Sequence, residues 1–577
     1  MLIATLSYFL KPYRKSVIAT LILLAVQSVA NLYLPSLNAD LINNGVTKGN
    51  VSYIWHIGLW MLLAALLVMI ASIIVAYLSA KVAMGFGRDV RHEVFTAVER
   101  FSARELNQFG APSLITRNTN DVQQVQMVLF TGLTMMIAAP ITGVGALIMA
   151  LKTNVQMSWI LVVVVPIMSL IIWLLLRRIV PLFRSMQLRI DRINLVLREQ
   201  ISGIRVIRAF VRTNQEEARF AEANNELLEN TLKVTRTFAV MFPVLGLILN
   251  LSSVAVIWVG AHLIDTNSMS IGNLTAFLAY LMQILTSVMM AVMMSLMIPR
   301  AATSAERIQE VLRTKSSVAD TVSPTTPSVV DGVIEFRDVE FRYPGAQHPV
   351  LENVSFTARP GEITAIVGST GSGKTTLLNL ITRFIDVTSG TVLINGVDIR
   401  EQSLESIWHS IGLVPQRAFL FGTSIAENLR YGNANASDED LWNALEIAQA
   451  KDFVQEMPNQ LETNIAQGGT NLSGGQRQRI SIARALVKQA SIYLLDDSFS
   501  ALDYSTDSKL RIALTPAIQH STVIIVGQRV SSIMHADQIL VLDEARIVGK
   551  GTHEELMRTC QTYQEIVNSQ LSPQESA

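Results

Sequence analysis

The sequence predicts an all-α domain with six membrane-spanning helices, followed by an α/β domain. Half of the 577 residues are hydrophobic and only 16% are charged, which is too apolar for an ordinary soluble protein. Every apolar stretch long enough to cross a bilayer lies in the first half, whereas the second half mixes short strand-like runs with helical segments. A chain of this length also exceeds what one hydrophobic core supports.

Six apolar stretches reach the roughly 20 residues that a helix needs to cross a bilayer. They are residues 17–38, 54–79, 128–150, 158–177, 240–263 and 272–298. Because an even number of spans returns the chain to its starting side, the N-terminus and everything after residue 300 share one compartment. The first sixteen residues place their basic side chains after a short apolar stretch, so we expect an interfacial helix there that stays attached.

The connections between the spans differ in positive charge. The three short connections carry only two basic residues, Lys48 and Lys152. The two long connections, 80–127 and 178–239, are rich in arginine: Arg88, Arg91, Arg100, Arg104, Arg117, Arg178, Arg184, Arg189, Arg192, Arg198, Arg205, Arg208 and Arg212. By the positive-inside rule, we expect both long connections and both termini to be cytoplasmic.

The long connections are too periodic to be loops. Apolar Ile201, Ile204, Ile207 and Val211 recur at helical spacing with charged residues between them. Running out and back at 1.5 Å per residue, such helices extend on the order of 35 Å into the cytoplasm. Residues 315–330 are polar, contain proline and lack periodicity, which is typical of a linker. We therefore assign 1–315 to the membrane domain, 316–330 to a linker and 331–577 to the second domain.

A phosphate-binding loop identifies the second domain as a nucleotide-binding domain of the P-loop NTPase class. The loop follows the strand-like run ITAIVG and precedes a helical segment, and its residues are Gly368, Ser369, Thr370, Gly371, Ser372, Gly373, Lys374, Thr375 and Thr376. Its glycines let backbone N–H groups surround phosphates, Lys374 neutralises their charge, and Thr375 offers a hydroxyl to Mg²⁺. The run IYLLD ends at Asp496 and supplies a carboxylate for the same Mg²⁺.

A second motif narrows the class to one family. Leu472, Ser473, Gly474, Gly475 and Gln476 open a helical segment, and with this motif the chain resembles the ATP-binding cassette proteins over nearly its whole length. In that family the motif meets the γ-phosphate of ATP held by the other half of a dimer. The resemblance also implies that Tyr343 stacks on adenine, that Gln416 is the Q-loop glutamine near Mg²⁺, and that the D-loop is Ser500, Ala501, Leu502 and Asp503.

Six spans before the cassette imply an exporter-type half-transporter of the multidrug or lipid type. Its nucleotide-binding domain should contain a helical subdomain, and its ligands should be ATP and Mg²⁺. By the same resemblance, residues 110–117 and 211–223 are candidate coupling helices, which transmit cassette movement to the membrane helices. We expect a multi-pass protein of a bacterial inner membrane, with both termini and the cassette in the cytoplasm.

Two positions depart from the family pattern at the same catalytic step. The family has a glutamate after Asp496 that acts on the attacking water, but here Asp497 stands one methylene shorter. Gln528 stands where a histidine is expected, and glutamine cannot accept a proton. With Gln416 they are the catalytic candidates, and we interpret the site as degenerate. The intact signature then serves a partner with a competent site, so the resemblance implies a heterodimer.

The spans favour a hydrophobic or amphiphilic substrate because few ionisable residues interrupt them. Gln27, Asn31, Asn250 and Gln283 are polar enough to line a cavity, yet equally suited to bonding between helices. Equal numbers of basic and acidic residues, 46 each, argue against nucleic acid as a partner. Two alternatives stay open: a slow homodimeric exporter, or an ATP-binding regulatory or receptor subunit that pumps nothing. The direction of transport also stays open.

Overall fold

The structure, a computed structural model, describes residues 1–321, 323–327 and 331–570. The chain divides into two compact units. The first unit is Met1–Glu99 with Ala111–Thr314, and the second is Arg100–Gly110 with the described residues from Lys315 onward. Part of the predicted linker, residues 322 and 328–330, and the last seven residues of the predicted cassette lie outside the described residues.

The N-terminal half is helical throughout its regular elements, as predicted. Its α-helices are α1 (Leu2–Phe9), α2 (Arg14–Asp40), α3 (Val51–Glu99), α4 (Ala103–Phe109), α5 (Ala111–Thr116), α6 (Val122–Thr131), α7 (Ala138–Thr153), α8 (Val155–Ser202), α9 (Ile204–Ala209), α10 (Thr213–Asp265) and α11 (Ile271–Arg313). Three π-helical segments, at Leu41–Val46, Arg117–Asp121 and Gly132–Met136, connect or continue these helices.

Six helical stretches in the described residues are long and apolar enough to cross a membrane, which confirms the six predicted spans. They are Lys11–Val46, Val51–Glu99, Ala111–Thr153, Val155–Ser202, Thr213–Asp265 and Ile271–Ala291. The long connections are continuations of these helices, as the periodicity predicted. Helix α10, for example, is 53 residues long and includes both the polar segment after Arg212 and the fifth span.

Helix α11 lies at the centre of the first unit, in contact with α2, α6 and α7. Its Phe277, Tyr280 and Leu281 are fully buried. The Tyr280 hydroxyl donates a hydrogen bond to the Leu32 carbonyl oxygen at 3.1 Å, which ties α11 to α2. Further along α11, the Ser304 hydroxyl donates to the buried Asp121 carboxylate at 2.8 Å. These polar contacts fix the position of α11 along its neighbouring helices, which apolar packing alone would leave variable.

The second unit contains two sheets, as the strand-like runs predicted. Its strands are β1 (Ile334–Phe341), β2 (Leu351–Ala358), β3 (Ile363–Gly368), β4 (Ser389–Ile394), β5 (Val397–Asp398), β6 (Ile411–Val414), β7 (Ile492–Asp496), β8 (Thr522–Val526), β9 (Gln538–Asp543) and β10 (Arg546–Gly551). One sheet has the order β2-β1-β4-β5 and the other β10-β9-β3-β8-β7-β6. In the second sheet, β9, β3, β8, β7 and β6 run parallel.

Nine further helices surround these sheets in the described residues. They are α12 (Lys374–Ile381), α13 (Leu404–Ser410), α14 (Ile425–Arg430), α15 (Asp438–Ile447), α16 (Lys451–Gln455), α17 (Gly474–Val487), α18 (Tyr504–Ala517), α19 (His553–Thr559) and α20 (Gln561–Gln570). Leu494 of β7 packs in a core with β1, β2 and α12, whereas its neighbour Leu495 packs in a core with α14, α15 and α17. Both faces of β7 are therefore covered, which explains its continuous apolar sequence.

Residues 100–110 require a correction to the predicted domain boundary, because they group with the cassette rather than with the membrane helices. Ser102 caps α4, and Glu105 accepts hydrogen bonds from the Ser102 backbone N–H at 3.0 Å and the Ser102 hydroxyl at 2.6 Å. The hydroxyls of Ser102 and Ser317 lie 2.9 Å apart. This bond joins the segment to the start of the linker, 215 residues away in sequence.

Glu105 is a buried carboxylate, 4% exposed, within this contact. Burial by itself raises the pKa of Glu105, but the hydrogen bonds from Ser102 and Ser317 outweigh burial and hold the pKa below the ordinary glutamate value. A carboxyl whose pKa falls on folding stabilises the folded state above its unfolded pKa. That stabilisation is lost as the pH drops through the lowered folded pKa.

Glu105→Gln, which imitates the protonated carboxyl, is expected to loosen the 100–110 segment. Removing a charged acceptor from buried donors costs roughly 1.5–3 kcal/mol, so hydrogen exchange of this segment should accelerate at least about tenfold. Glu99→Gln, at an exposed position at the end of α3, is the matched control and should leave the exchange unchanged. Equal exchange in both variants would show that the Glu105 carboxylate does not hold the segment.

Candidate functional site

The phosphate-binding loop joins the end of β3 to the start of α12. Gly371 and Gly373 have φ of 87° and 99°, a left-handed backbone that favours glycine. A Cβ on Gly373 would also lie 2.8 Å from the Val350 carbonyl oxygen. The loop therefore needs glycine at these positions, and it ends at the start of α12, whose first N–H groups have no partner within the helix.

Lys374 is the first residue of α12 and is only 9% exposed. Its ammonium donates to the carbonyl oxygens of Gly368 at 2.8 Å and Ser369 at 2.7 Å. Burial lowers the pKa of Lys374, while the charges of Asp496 and Asp497 oppose this shift. The positive group is thus held in place by the loop, where an anionic ligand offsets the cost of its burial.

Thr375 and Asp496 form the pair that the sequence assigned to Mg²⁺. The Thr375 hydroxyl donates to Asp496 Oδ2 at 3.1 Å, across the gap between α12 and the end of β7. Burial raises the pKa of Asp496, the Thr375 bond and Lys374 oppose the shift, and Asp497 adds to it. The described residues hold no group of three or more His, Cys, Asp or Glu side chains that could bind a metal. A hydroxyl, a carboxylate and the amide of Gln416 are hard oxygen donors, and they fit Mg²⁺, which keeps several water ligands.

A cavity of about 360 Å³ brings most of the predicted pocket residues together. The predicted residues that line it are Tyr343, Thr370, Gly371, Gly373, Lys374, Thr375, Thr376, Gln416, Asp496, Asp497 and Gln528. They meet because β3, β7 and β8 are parallel neighbours, so the loop, Asp496 and the segment after β8 follow the same edge of the sheet. The volume is in the range of small-molecule sites.

The two positions that depart from the family pattern both line this cavity. Asp497 has φ of 48°, and its backbone N–H donates to the Val526 carbonyl at 2.9 Å. Aspartate tolerates this left-handed backbone better than most residues because its short side chain bonds locally. Gln528 is exposed, and its backbone carbonyl oxygen accepts a hydrogen bond from the Gln570 side-chain amide.

The signature residues lie at the start of α17 and do not line this cavity. Ser473 caps the helix: its hydroxyl accepts from Gln476 N–H at 3.2 Å, and Gln476 Oε1 accepts from Ser473 N–H at 2.9 Å. Leu472 is buried in the core that includes α14, α15 and α17, whereas Ser473 and Gly474 are exposed. An exposed helix N-terminus of this kind favours an anion.

The predicted D-loop precedes α18. Asp503 caps that helix by accepting from Thr506 N–H at 3.0 Å, and hydrogen bonds from Thr506 lower the pKa of Asp503. Leu502 is buried, and the carbonyl of Ser500 accepts from Arg529 at 3.1 Å. Ala501 is exposed between them. The loop is thus anchored at both ends, with its middle accessible.

Gln570 is a residue of this region that sequence reasoning missed. Its amide bridges the segment after β8, donating to the Gln528 carbonyl at 2.8 Å and accepting from the Val530 N–H at 2.9 Å. Gln570 ends α20, 42 residues after Gln528, in a polar stretch that carries no motif. Because these hydrogen bonds are made with backbone atoms, which every residue other than proline provides, a single sequence gives no sign of them.

Gln570→Ala is expected to loosen the 528–530 segment. The variant removes both bonds of the Gln570 amide; losing the one made by the Val530 N–H costs about 1 kcal/mol, so hydrogen exchange at Val530 should accelerate about fivefold, with little change outside the segment. Gln561→Ala is a suitable control, because the Gln561 amide bonds Glu565 on the same helix at 2.9 Å. Unchanged exchange at Val530 in the Gln570 variant would refute this anchoring role.

Comparison with known proteins identifies both parts of the chain. Residues 17–288 match the family described as ABC transporter transmembrane region, and residues 351–500 match the family described as ABC transporter. An uncharacterized ABC transporter ATP-binding protein of Mycobacterium tuberculosis is 46% identical, over 99% of this chain and 98% of that protein. The ATP-dependent lipid A-core flippase of Thiobacillus denitrificans is 31% identical, over 98% and 97% of the two chains.

A solved structure of a bacterial Atm1-family ABC exporter with ATP bound has the same fold. It superposes with a TM-score of 0.80 and covers 97% of this chain and 98% of its own. The two sequences are 23% identical, so the likeness supports the fold class alone. The six-helix membrane domain followed by an α/β domain agrees with the prediction made from the sequence.

Proposed function

Because the chain belongs to the ATP-binding cassette transporter family, we propose that it is one half of an exporter that uses ATP to move a hydrophobic or amphiphilic compound. One observation carries the proposal: a single chain combines six helices apolar enough to cross a bilayer with a cavity lined by Lys374, Thr375 and Asp496. The relative named for lipid A-core favours a lipid-like substrate.

Different residues of the cavity bind different parts of ATP in this proposal. Lys374 and the N–H groups at the start of α12 bind the β- and γ-phosphates, and Tyr343, which also lines the cavity, stacks on adenine. Thr375, Asp496 and Gln416 would hold Mg²⁺, which neutralises phosphate charge when bound. Lys374 is already positioned by two carbonyl oxygens, so binding needs little rearrangement of the loop.

Asp497 and Gln528 make this pocket a weak catalyst in our proposal. Asp497 has a carboxylate but a shorter reach than glutamate, and misplacing a reacting group by about 1 Å costs on the order of 10²-fold. Gln528 donates and accepts hydrogen bonds but takes no proton. The pocket then binds ATP for long periods and hydrolyses it slowly.

We infer a heterodimer because this chain combines an intact signature with a weakened catalytic pocket. The start of α17 exposes Ser473 and Gly474, which do not line the chain's own cavity, and would meet the γ-phosphate in a partner chain. If the partner carries the glutamate and histidine that this chain lacks, hydrolysis takes place mainly there. Co-purification from the native membrane tests this: a different half-transporter in equal amount supports it, whereas this chain alone supports the homodimer.

The segment Arg100–Gly110 is the connection that we propose to transmit cassette movement, in place of the sequence-based candidate 110–117. It groups with the cassette and is continuous in the chain with α3 and α5. The second candidate, 211–223, stays a prediction. Its first residue, Val211, is 86% exposed and its neighbour Phe210 71%, as expected of apolar side chains that bind a partner chain.

Orientation is inferred from charge. Arginine is concentrated in the two long connections, so we place these, both termini and the cassette in the cytoplasm of a bacterial cell, with the spans in the inner membrane. ATP-driven transport into inverted vesicles tests export. ATP binding without any transport would favour a regulatory subunit.

Lys374→Ala is expected to lower nucleotide occupancy of this pocket while leaving appreciable ATP turnover in the assembled pair. The variant loses the buried cation, yet the pocket contributes little hydrolysis because of Asp497 and Gln528. Steady-state ATPase and nucleotide content should be measured beside the equivalent lysine variant of the partner. A loss of turnover as complete as in the partner variant would contradict unequal sites.

A further inference from the structure

A second cavity in the cassette has a volume of about 490 Å³ and, in the described part of the chain, shares no lining residue with the nucleotide cavity. Its walls come mainly from β3, β8, α18 and the segment that connects β8 to β9. The volume is in the range of small-molecule sites. Of the described residues that line it, none was assigned above to ATP, Mg²⁺ or the signature, so the cavity is free for another ligand.

The inner wall of this cavity is apolar, whereas its rim is polar. Every buried residue among the described residues that line it is apolar except Ser532; Ala365 of β3 and Leu514 of α18 are examples. The other polar side chains of the lining, such as Glu362 and Gln519, are partly or fully exposed. An apolar group gains free energy by leaving water for such an interior, whereas an unpaired polar group loses it. The inner part of the cavity therefore takes an apolar body, and the rim can hold a polar end.

The cavity lies between two hydrophobic cores. Leu514 and Val523 belong to the core that includes α14, α15 and α17, whereas Ala365, Ile533 and Ala536 belong to a core that includes α19 and α20. Two of the lining residues from the second core are alanines, and their short side chains leave space between the cores unfilled. An apolar ligand there would contact both cores and supply packing contacts that the chain itself does not make.

Arg511 is a cation of the lining whose charge is already paired. Its Nη2 lies 2.5 Å from the Asp507 carboxylate, which is 2% exposed, and its Nη1 donates to the Ser531 carbonyl. An anionic ligand would have to take the guanidinium from a buried carboxylate, and breaking such a pair is strongly unfavourable. His535 also lines the cavity, but an ordinary imidazole carries almost no charge at pH 8. The lining therefore offers little to an anion at this pH.

The two carboxylates of the rim, Glu362 and Asp537, have weak or no cationic partners. The Glu362 carboxylate lies 4.0 Å from Arg359, and both side chains are partly exposed. Asp537 is exposed and makes no ion pair with the described residues, while one of its oxygens accepts a hydrogen bond from Ile363 N–H at 2.8 Å. The described part of the chain therefore leaves a negative charge at the rim that a cation would neutralise.

We propose that this cavity binds a hydrophobic organic monocation, with its apolar body between the two cores and its ammonium group beside Asp537. A neutral amphiphile would fill the same space without neutralising Asp537, and an anion would add a further negative charge to the rim. Phe499, which lines the cavity, directly precedes the D-loop, so a bound ligand contacts the segment that leads to the nucleotide site. Binding of this kind is independent of the proposed export function, because it requires no ATP turnover.

The test uses three fluorinated probes that differ in their polar end: 4-(4-fluorophenyl)butylamine, the corresponding alcohol and the corresponding carboxylate. Their dissociation constants are measured by fluorine NMR at pH 8 without nucleotide, on the full-length chain in nanodiscs of zwitterionic lipid. In Asp537→Asn the amide oxygen can still accept from Ile363 N–H, but the charge is gone. The amine should bind this variant about fivefold more weakly than the wild type, the upper range for an ion pair at an exposed site. The alcohol should bind both proteins equally, and partitioning of each probe into the same membrane cancels in the comparison.

Two filling variants locate the binding. Ala536→Leu places a larger side chain in the cavity, and Thr515→Phe does so from an exposed position on α18, where packing of the core is not disturbed. Both should weaken binding of the amine and of the alcohol alike. Asp452→Asn is the matched control, since Asp452 is exposed on α16 and does not line the cavity; it should leave the amine affinity unchanged.

Equal amine affinity in the wild type and in Asp537→Asn would overturn the proposal. A carboxylate probe that binds as tightly as the amine would do the same, because the rim would then not select for positive charge. Amine binding that both filling variants leave unchanged would show that the probe binds elsewhere, and the cavity would no longer be its site.

Discussion

Gly474→Ala is expected to reduce ATPase activity of the assembled transporter by about 10²–10³-fold, the cost of disturbing one donor that stabilises developing charge. The structure indicates that this variant tests catalysis without disturbing the packing of the chain itself. A Cβ at position 474 would have only Arg477 Nη2 nearby, at 4.0 Å, so the chain's own packing accommodates it. Gly474 is also exposed and does not line the chain's own nucleotide cavity. A large loss would therefore come from contact with nucleotide held by another chain.

Other signature positions give weaker tests. Ser473 caps α17, so its replacement destabilises the helix by about 1 kcal/mol whatever its role in catalysis. A Cβ on Gly475 would approach the Ala501 carbonyl oxygen to 3.3 Å, which disturbs the D-loop. The control for Gly474→Ala is Gly58→Ala, where a Cβ has nothing within 4 Å. Comparable, mild losses in Gly474→Ala and Lys374→Ala would contradict a signature that serves the partner's site.

Much of the fold is predictable from the sequence because its elements are strongly apolar and local in origin. Each membrane span needs only length and hydropathy, and strands such as β7 and β8 are buried on both faces, so their sequences are continuous apolar runs. The assignment of residues 100–110 to the cassette could not be predicted in this way. It depends on Ser102 and Glu105 meeting Ser317, 215 residues further along the chain. No periodicity or composition reports such a pairing.

The nucleotide cavity was also largely predictable, since a phosphate-binding loop and the strands beside it determine which residues meet. Reasoning from motifs gave ligand roles but missed structural ones. Ser473 and Asp503 both serve as helix caps, and Gln570 anchors the segment that contains Gln528 through backbone atoms. Gln27, Asn31 and Gln283 were noted as polar, but only packing could show that they share a cavity that Asn250 does not reach.

Asp497→Glu combined with Gln528→His is expected to raise hydrolysis in this chain's pocket by about 10²-fold, the lower end of what a well-placed general base provides. The remaining machinery is in place: Lys374, Thr375, Gln416 and Asp496 line the same cavity. The backbones of both substituted residues are anchored, since Asp497 N–H donates to Val526 at 2.9 Å and the Gln528 carbonyl accepts from Gln570 at 2.8 Å. The new side chains should therefore start from the same positions.

The measurement needs a partner whose own catalytic glutamate has been removed, so that residual ATPase reports this pocket. Asp497→Asn with Gln528→His is the matched control, because asparagine tolerates the φ of 48° as aspartate does but supplies no carboxylate. Glutamate is less suited to that backbone, so the restored variant should melt at a slightly lower temperature even as its turnover rises. Higher turnover with lower stability would distinguish a regained catalytic group from a general tightening of the fold. If turnover stays at the level of the asparagine control while ATP binding is normal, Asp497 and Gln528 are not what limits hydrolysis in this pocket, and the degenerate-site proposal fails with them.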